Sequence, residues 1–269
     1  MNVALRILGC GSSGGVPRID GNWGVCDRDN PKNRRTRCSL LATRRTEAGH
    51  TRLLIDTAPD MRAQLIEAGA AWLDGVLYTH DHADQTHGID DLRAMVYARR
   101  RRIRVWMDDA TAKTLTGRFG YCFEQPADSG YPSILEDNRI APPYMPIRIE
   151  GEGGVIEALP FRQIHGRIES LGFRIGNVAY SPDISDLPDE SRPALENLDC
   201  WIVDALRREP HPTHFHLDKT LQIIEEIAPK AAVLTNMHVD MDYETLCREL
   251  PPHIRPAYDG LEIEAHNGI

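Results

Sequence analysis

Short apolar segments recur along the chain, and each is followed by a polar residue or a turn. They lie at residues 3–8, 52–55, 75–78, 103–107, 155–159, 171–175, 201–203 and 231–234. Segments of this length and composition are typical of strands that bury at least one face. The pattern therefore predicts a protein rich in β-sheet.

Helical periodicity occurs between some of these segments, at residues 59–69, 89–101 and 218–227. Asp218 is predicted to be the N-cap of the third helix, because its carboxylate can accept from the free backbone N–H groups of a first turn. Strands mixed with helices predict sheets covered by helices. With 269 residues, 41% of them hydrophobic, residues 1–269 are expected to form one domain.

Residues 118–146 differ from their surroundings, because aromatic side chains occur among several prolines and glycines with weak periodicity. We interpret the segment as an insertion. It is either a lid or binding loop, or a surface insertion that does not contact substrate. In the first case Tyr121 and Phe123 are candidates to stack on a base.

The formal net charge of −9 argues against a surface that binds extended nucleic acid, whose phosphates require a basic surface. A small anionic substrate is compatible with this charge if a metal supplies positive charge locally. The basic run at residues 99–102 follows a predicted helix, where cations favour the helix C-terminus. We therefore interpret the run as a solvated face rather than an RNA contact.

No apolar run approaches the roughly 20 residues of a membrane helix, and the first residues resemble a strand more than a signal peptide. The six cysteines are scattered without a close pair, which fits a reducing cytoplasm. We expect a cytoplasmic protein that binds no membrane. A homodimer remains open.

The strongest chemical motif follows the apolar segment 75–78 and contains His80, His82 and Asp84. Two imidazoles and a carboxylate that leave one strand end can converge on a divalent cation. Other candidate ligands also follow apolar segments, namely Asp56, His165, Asp183 and His238. One such histidine alone is usually structural, but their joint occurrence favours a metal site.

In this order the residues resemble the metallo-β-lactamase superfamily, whose pattern is an early Asp, HxHxDH, and a later His, Asp and His. Within it, the chain is most similar to the phosphodiesterase of the carbon-phosphorus lyase pathway and its relatives. Local matches are the Gly-Cys-Gly-Ser-Ser-Gly-Gly loop at residues 9–15, His-Gly-Ile-Asp at 87–90 and Tyr-Asp-Gly-Leu-Glu-Ile at 258–263. The resemblance covers nearly the whole chain.

The resemblance implies an αββα sandwich of two mixed sheets flanked by helices. It also implies two divalent ions, Mn²⁺ or Zn²⁺, about 3.5 to 4 Å apart, that bind phosphate and generate hydroxide near neutral pH. Carried over by position, the ligands of the first ion are His80, His82 and His165. Asp84 and His238 would hold the second ion, Asp183 would bridge the two, and Asp56 would orient the ligand loop.

The chain departs from the family pattern at Gln85, which replaces the last histidine of HxHxDH. An amide oxygen is a weaker zinc ligand than imidazole but suits a harder ion such as manganese. The second site is therefore expected to be weak, selective for manganese, or completed by water, with His87 as a less favoured substitute. The family's structural zinc is not expected, because only Cys26 lies in the corresponding region, with Cys38 well beyond it.

Outside the metal site, His216 precedes a predicted helix at the position where the resembling enzyme has a histidine near the leaving group. It is the candidate general acid, although a capping or surface role is the alternative. His211 and His214 are expected to be surface residues. Ser12 and Ser13 lie in a Gly-rich loop that either presents N–H groups to phosphate or forms a turn without ligand.

The leading function is a phosphodiesterase acting on a small cyclic or nucleotide-like phosphodiester through a metal-activated hydroxide, with Asp84, His216 and Asp56 as catalytic residues. One alternative is an RNA-processing endonuclease. The other, from a different class, is a non-hydrolytic metal-binding accessory protein similar to the pyrroloquinoline quinone biosynthesis member.

Overall fold

The computed structural model of the protein describes residues 2–266, whose strands form two seven-stranded sheets. The first sheet contains the strands β1 (Asn2–Gly9), β2 (Ser39–Thr46), β3 (Gly49–Ile55), β4 (Gly75–Leu77), β5 (Ile103–Met107), β6 (Leu135–Arg139) and β14 (Glu262–His266). Their order is β14-β1-β2-β3-β4-β5-β6. The pairs from β14 to β3 are antiparallel, and those from β3 to β6 are parallel.

The second sheet has the same mixed construction. It contains β7 (Ile147–Gly151), β8 (Gly154–His165), β9 (Ile168–Ile175), β10 (Val178–Ser181), β11 (Cys200–Asp204), β12 (Ala231–Thr235) and β13 (Ile254–Pro256). Their order is β13-β12-β11-β10-β9-β8-β7. The pairs from β7 to β10 are antiparallel, and those from β10 to β13 are parallel.

The described residues form six α-helices, and five of them cover the outer faces of the two sheets. The six helices are α1 (Met61–Glu67), α2 (Ala83–Thr86), α3 (Leu92–Arg99), α4 (Asp109–Phe123), α5 (Leu217–Ile227) and α6 (Tyr243–Glu249), with 3₁₀ turns at Pro31–Asn33, Ile89–Asp91 and Asp189–Leu195. The helices α1, α3 and α4 pack on the first sheet, and α5 and α6 pack against the second. The predicted αββα sandwich of two mixed sheets is confirmed. Among the described helices, none combines the length and apolar character needed to span a membrane.

Strand β3 shows why the strands are nearly continuous apolar runs. Leu53 and Ile55 point into the core between the sheets, whereas Leu54 points into the core under α1 and α3. All three are 0% exposed. Since successive side chains point to opposite faces, a strand buried on both faces loses its polar alternation.

The predicted elements agree with the structure except at several boundaries. Strand β5 has the predicted bounds, while β8 extends six residues beyond residue 159, to His165. The predicted N-cap Asp218 is wrong, because α5 begins at Leu217 and His216 is its N-cap. The segment 118–146 is less irregular than predicted, because it starts in the last turns of α4 and includes β6.

The connections that follow the strands bring the polar residues together at one edge of the sandwich. Parallel strands end at the same edge of a sheet, where α/β proteins place their ligand sites. The loops concerned follow β3 and β4 in the first sheet and β8, β10, β11 and β12 in the second. The same edge receives the loop after β1, through the bridges that join Gly11 to Arg37 and Met237.

Candidate metal centre and active site

Three imidazoles, those of His80, His82 and His165, meet at the edge between the two sheets. One ring nitrogen of each lies within 4.8 Å of the corresponding nitrogens of the other two. The ring centroids are 4.5 Å apart for His80 and His82, and 5.0 Å apart for each of the other pairs. Three imidazoles in this arrangement suit a divalent transition metal.

Hydrogen bonds determine which nitrogen of His80 is available. The Thr79 hydroxyl lies 2.8 Å from Oδ2 of Asp56, and the Thr79 backbone N–H donates to Oδ1 across 2.8 Å. Because the hydroxyl gives its proton to Asp56, it accepts from Nδ1 of His80 across 3.0 Å. The buried Nε2 of His80 then carries a lone pair, and it has no hydrogen-bond partner among the described residues.

Asp56 accepts both of its side-chain hydrogen bonds from Thr79, the residue that precedes His80. It is 0% exposed, it adopts a left-handed backbone conformation with φ of 64°, and Thr79 occupies both of its carboxylate oxygens. Carboxylates in this role fix the tautomer and the ring orientation of ligating histidines. Burial raises the pKa of Asp56 well above its usual value, against the hydrogen bonds from Thr79 that lower it.

His165 is oriented in the same way by a backbone group. Its Nδ1 lies 2.6 Å from the carbonyl oxygen of Thr213, so Nδ1 carries the proton and Nε2 carries the lone pair. Burial lowers the pKa of His165 to about 3, with a further contribution from His214. Burial, and then the neighbouring imidazoles, lowers the pKa of His80 well below its usual value. Both rings are thus neutral, as metal ligands must be.

Asp183 lies beside this cluster and is held by two amides. Nε2 of Gln85 donates to Oδ2 of Asp183 across 3.2 Å, and Nδ2 of Asn236 lies 3.5 Å from Oδ1. Oδ1 is 4.0 Å from Nε2 of His165. The amide oxygen Oε1 of Gln85 is buried, with no hydrogen-bond partner among the described residues. Gln85 thus faces the metal centre but presents its N–H to the carboxylate.

Asp84 and His238, predicted ligands of a second ion, are gathered less closely. Both line the same cavity as Asp183 and His165. Within residues 2–266, however, neither belongs to a group whose ligating atoms all lie within 4.8 Å. Nε2 of His238 contacts the guanidinium of Arg18, and Nδ1 lies 3.3 Å from Oδ1 of Asp240. The structure therefore assembles the first ligand set and leaves the second more open.

His214 was predicted to be a surface residue, and this prediction is wrong. Its side chain is only 14% exposed, its ring centroid lies 4.5 Å from that of His165, and it lines the cavity. Its Nδ1 donates to Oδ2 of the fully buried Asp204 across 2.8 Å. Asp204 is a site residue that the sequence analysis missed, although it follows the apolar segment 201–203 as the other site residues follow theirs.

The charge of this pair follows from its geometry. Burial by itself would lower the pKa of His214, but the attraction and hydrogen bond of Asp204 outweigh burial and raise the pKa to about 9. Burial raises the pKa of Asp204 to about 6, against the opposing effect of His214. At neutral pH the pair is an ion pair. Among the described residues, ligating atoms of His214, His165 and Asp183 also lie within 4.8 Å of one another. The position of His214 therefore suits either a proton donor or a ligand beside the centre.

Other predicted site residues lie elsewhere. His216 is half-buried and is the N-cap of α5. It is not one of the described residues that line the cavity. Phe123 is in the core under the first sheet, and Tyr121 lies on α4 beside the guanidinium of Arg93. His87 packs against Phe119, with ring centroids 5.6 Å apart. The structure does not support substrate contacts by the two aromatic residues in this cavity, or metal ligation by His87.

The cavity in front of the imidazoles has a volume of about 850 Å³ and is lined by Ser12, Ser13 and three arginines. Arg37 is paired with Asp60 across 2.9 Å. Arg207 donates to the backbone carbonyls of Glu209 and Pro210, so these contacts leave its charge uncompensated. No sequence motif indicates these arginines. They give an acidic protein a local surface that suits an anion.

Residues 51–237 match the family model described as the beta-lactamase superfamily domain. The chain belongs to the beta-lactamase superfamily. Its fold implies divalent metal binding. The residues fit a metal, because three imidazoles converge and the buried Nε2 of His80 has no hydrogen-bond partner within residues 2–266. Membership in this superfamily indicates a hydrolase, although a fold alone does not set the reaction.

Two solved structures match this chain over nearly the whole length of both chains. The chain is similar to a diphosphatase of the PhnP family, with 34% identity, a TM-score of 0.85, and coverage of 98% of this chain and 97% of the other. It shares its fold with zinc-bound PqqB from Methylobacterium extorquens, with 17% identity, a TM-score of 0.74, and coverage of 97% and 99% of the two chains.

One curated relative is longer than this chain. An octanoyltransferase from Porphyromonas gingivalis (strain ATCC BAA-308 / W83) is 34% identical over 259 residues, which are 95% of this chain and 50% of the relative. The chain therefore spans about half the length of the curated relative it matches.

Proposed function

We propose that this protein is a metal-dependent hydrolase of phosphoric ester or diphosphate bonds in small, nucleotide-like molecules. The observation that carries the proposal is the His214–Asp204 ion pair, which lies directly beside the three-imidazole cluster. Hydrolysis of an unactivated phosphodiester requires both an electrophilic centre and a proton for the departing oxygen. The cavity brings together residues suited to each task.

The metal centre is proposed to contain one firmly held ion, bound by His80, His82 and His165. A second ion would be bound by Asp84, Asp183 and His238. Its binding would be weaker, because Gln85 directs its N–H rather than its oxygen towards Asp183. Manganese or zinc is the proposed metal, and when bound it supplies Lewis acidity and lowers the pKa of coordinated water. Cations at this centre would offset the negative charge of Asp84 and Asp183.

The chain's own residues would bind the phosphate and deliver the proton. Arg18 and Arg207 line the cavity and can pair with phosphate oxygens. Asp204 holds Nδ1 of His214, so the opposite nitrogen, Nε2, is free to donate towards a leaving oxygen. Ser12 and Ser13 lie on the loop after β1 and also line the cavity. The net charge of −9 favours a small substrate over an extended nucleic acid.

The relatives support a phosphorus substrate more than an acyl group. The diphosphatase matches over nearly the whole chain, whereas the octanoyltransferase matches over half of its own length. An octanoyl chain would require an apolar pocket. The cavity is instead lined by several histidines, arginines and carboxylates. We therefore propose phosphate chemistry for this site.

The test is hydrolysis of a substrate panel by protein reconstituted with manganese or zinc. The panel contains bis(p-nitrophenyl) phosphate, a nucleoside 2′,3′-cyclic phosphate, a nucleoside diphosphate and a β-lactam. We expect metal-dependent release of phosphorus-containing products and little turnover of the β-lactam. The His82→Ala variant should lose both metal and activity. Turnover confined to the β-lactam, or no turnover of any phosphorus substrate with a full metal complement, would contradict the proposal.

A further inference from the structure

Asn236 is buried between Asp183 and Asp204 and has no role in the proposed function described so far. It follows β12 in the left-handed backbone region, with φ of 60°, and is 1% exposed. Asparagine is one of the few residues other than glycine that tolerates this region. A conformation of this kind, retained at a site where the side chain contacts functional groups, suggests a defined task.

The amide nitrogen of Asn236 faces only groups that can accept or already share a proton. Nδ2 lies 3.3 Å from Oδ1 of Asp204 and 3.5 Å from Oδ1 of Asp183. It also lies 3.2 Å from Nδ1 of His214. That nitrogen already donates to Oδ2 of Asp204, so it has no lone pair to offer. The two amide protons are therefore directed to the two carboxylates, one to each.

Without the amide, the two carboxylates could compete for one imidazole. Nδ1 of His214 lies 2.8 Å from Asp204 but only 3.8 Å from Oδ1 of Asp183. Two buried carboxylates also repel each other, and each is more stable when a proton donor neutralises part of its charge. Asn236 supplies a donor to Asp183 on the side where His214 would otherwise provide one.

The backbone holds Asn236 in place. The N–H of Met237 donates to Cys10 across 2.9 Å, and the N–H of Ser12 donates to the Met237 carbonyl across 3.2 Å. The N–H of His238 donates to Leu206 across 2.8 Å. These bonds on both sides of the site prevent the side chain from moving away with its backbone. The amide nitrogen of Asn236 is therefore held at a fixed position between the two carboxylates.

We propose that Asn236 is a positioning residue that reserves His214 for Asp204 and leaves Asp183 to the metal centre. The inference rests on the proposed function, because it takes His214 as the donor to the leaving group. In the absence of the amide, the imidazole would divide its time between the two carboxylates. Its Nε2 would then point towards the leaving group for only part of that time.

The variant Asn236→Gly removes the amide but keeps a residue that favours a positive φ. We expect a loss of roughly 30-fold in kcat on a phosphodiester with an alkyl leaving group, and less than about threefold on bis(p-nitrophenyl) phosphate, because only a basic leaving oxygen needs the acid. Metal content should be unchanged. The matched control is Asn197→Gly, which makes the same change at an exposed turn with φ of 55° and should behave as wild type.

A double-mutant cycle decides whether Asn236 acts through His214. In the His214→Ala background, Asn236→Gly should cause almost no further loss on the alkyl substrate, because residues that act as a unit are not additive. A full additional loss, or a loss of metal in Asn236→Gly, would overturn the inference. If His214→Ala alone leaves the alkyl substrate unaffected, the proposed role of His214 fails, and the inference about Asn236 fails with it.

A measurement without substrate tests the inference about Asn236 separately from the proposed enzymatic activity. The Nδ1–H proton of His214, held by Asp204, should give a low-field NMR resonance in wild type and in Asn197→Gly. In Asn236→Gly it should shift and exchange faster with water, because the imidazole samples both carboxylates. An unchanged resonance would overturn the inference even if the proposed activity is confirmed. A changed resonance would support it even if the panel lacks the natural substrate.

Discussion

Gln85 donates its side-chain N–H to Oδ2 of Asp183 across 3.2 Å, at the position where the superfamily pattern has a metal-binding histidine. The same contact leaves the amide oxygen of Gln85 buried, with no hydrogen-bond partner among the described residues. An amide that presents N–H to a carboxylate lowers the need for a cation there. This contact is the reason for which we propose a lower metal affinity at the second site.

Changing Gln85 to histidine should strengthen that second site for zinc. Imidazole is a better zinc ligand than an amide, so Gln85→His is expected to bind a second zinc at least about tenfold more tightly, with a smaller gain for manganese. The measurement is metal titration of wild type and variant in the same buffer and at the same pH, since protons compete for imidazole. His87→Ala is the control and should leave both affinities unchanged. Unaltered zinc affinity in Gln85→His would show that this side chain does not reach the second ion.

His214 and His216 give opposite expectations for leaving-group dependence. His214→Ala should lose roughly 100-fold on an alkyl leaving group but far less on an activated aryl group, because only the basic oxygen requires an acid. His216→Ala should remain within about twofold of wild type on both substrates, as expected for a residue outside the site. The measurement is kcat on the two substrates, with metal content as a control. A selective loss in His216→Ala instead would restore the prediction made from sequence.

Thr79 connects Asp56 to His80, and its hydroxyl should therefore tune metal affinity. In Thr79→Val, Asp56 loses a donor and Nδ1 of His80 loses its acceptor, so we expect the affinity for the first ion to fall roughly 10- to 100-fold. The control is Thr51→Val, which removes an equally buried hydroxyl that donates to the Gly154 carbonyl, away from the site. Competition with a chromogenic chelator would measure both affinities. Equal losses in the two variants would assign the effect to general destabilisation.

Asp242 links the N-terminal segment to α6 and should be important for stability. Burial by itself would raise the pKa of Asp242, but hydrogen bonds from Thr245, Asp27 and Asn33 outweigh burial and lower the pKa to about 2. Asp242→Ala should lower the free energy of unfolding by about 2 to 4 kcal/mol, since it removes a helix cap and leaves buried donors unpaired. Asp108→Ala, which removes a cap bonded to Thr111, should cost only about 1 kcal/mol.

The effect of Asp242 should also depend on pH with a defined sign. Its pKa is lower in the folded protein than the usual value of 3.8, so its stabilising contribution is complete above that value and is lost as the pH falls from about 4 towards 2. Denaturant unfolding of wild type and Asp242→Ala should therefore converge at acidic pH. A difference that stays constant over this range would show that the carboxylate charge is not responsible.

The sequence alone indicated eight of the fourteen described strands, the fold class and the three histidines whose imidazoles converge in the structure. Strand β5 was predicted with the bounds that the structure has, because strands buried on both faces keep long apolar runs that remain visible without an alignment. The fold class was predicted from the resemblance to the superfamily. His80, His82 and His165 each follow such a segment, and loops that leave strand ends at one edge converge. Local sequence therefore contained the information for these residues.

Tertiary contacts set which of two nearby histidines, His214 or His216, faces the cavity. His214 and His216 lie two residues apart in a loop without periodicity, so no sequence rule gives the directions of their side chains. The loop is fixed by backbone hydrogen bonds, from the Phe215 N–H to the Ile184 carbonyl and from the Leu217 N–H to the Arg207 carbonyl. Asp204, Asn236 and the cavity arginines became site residues through contacts across long stretches of chain. Their roles depend on distances between residues of separate strands. Their conformations are stabilised by burial and by pairing of charged groups rather than by local secondary-structure propensity.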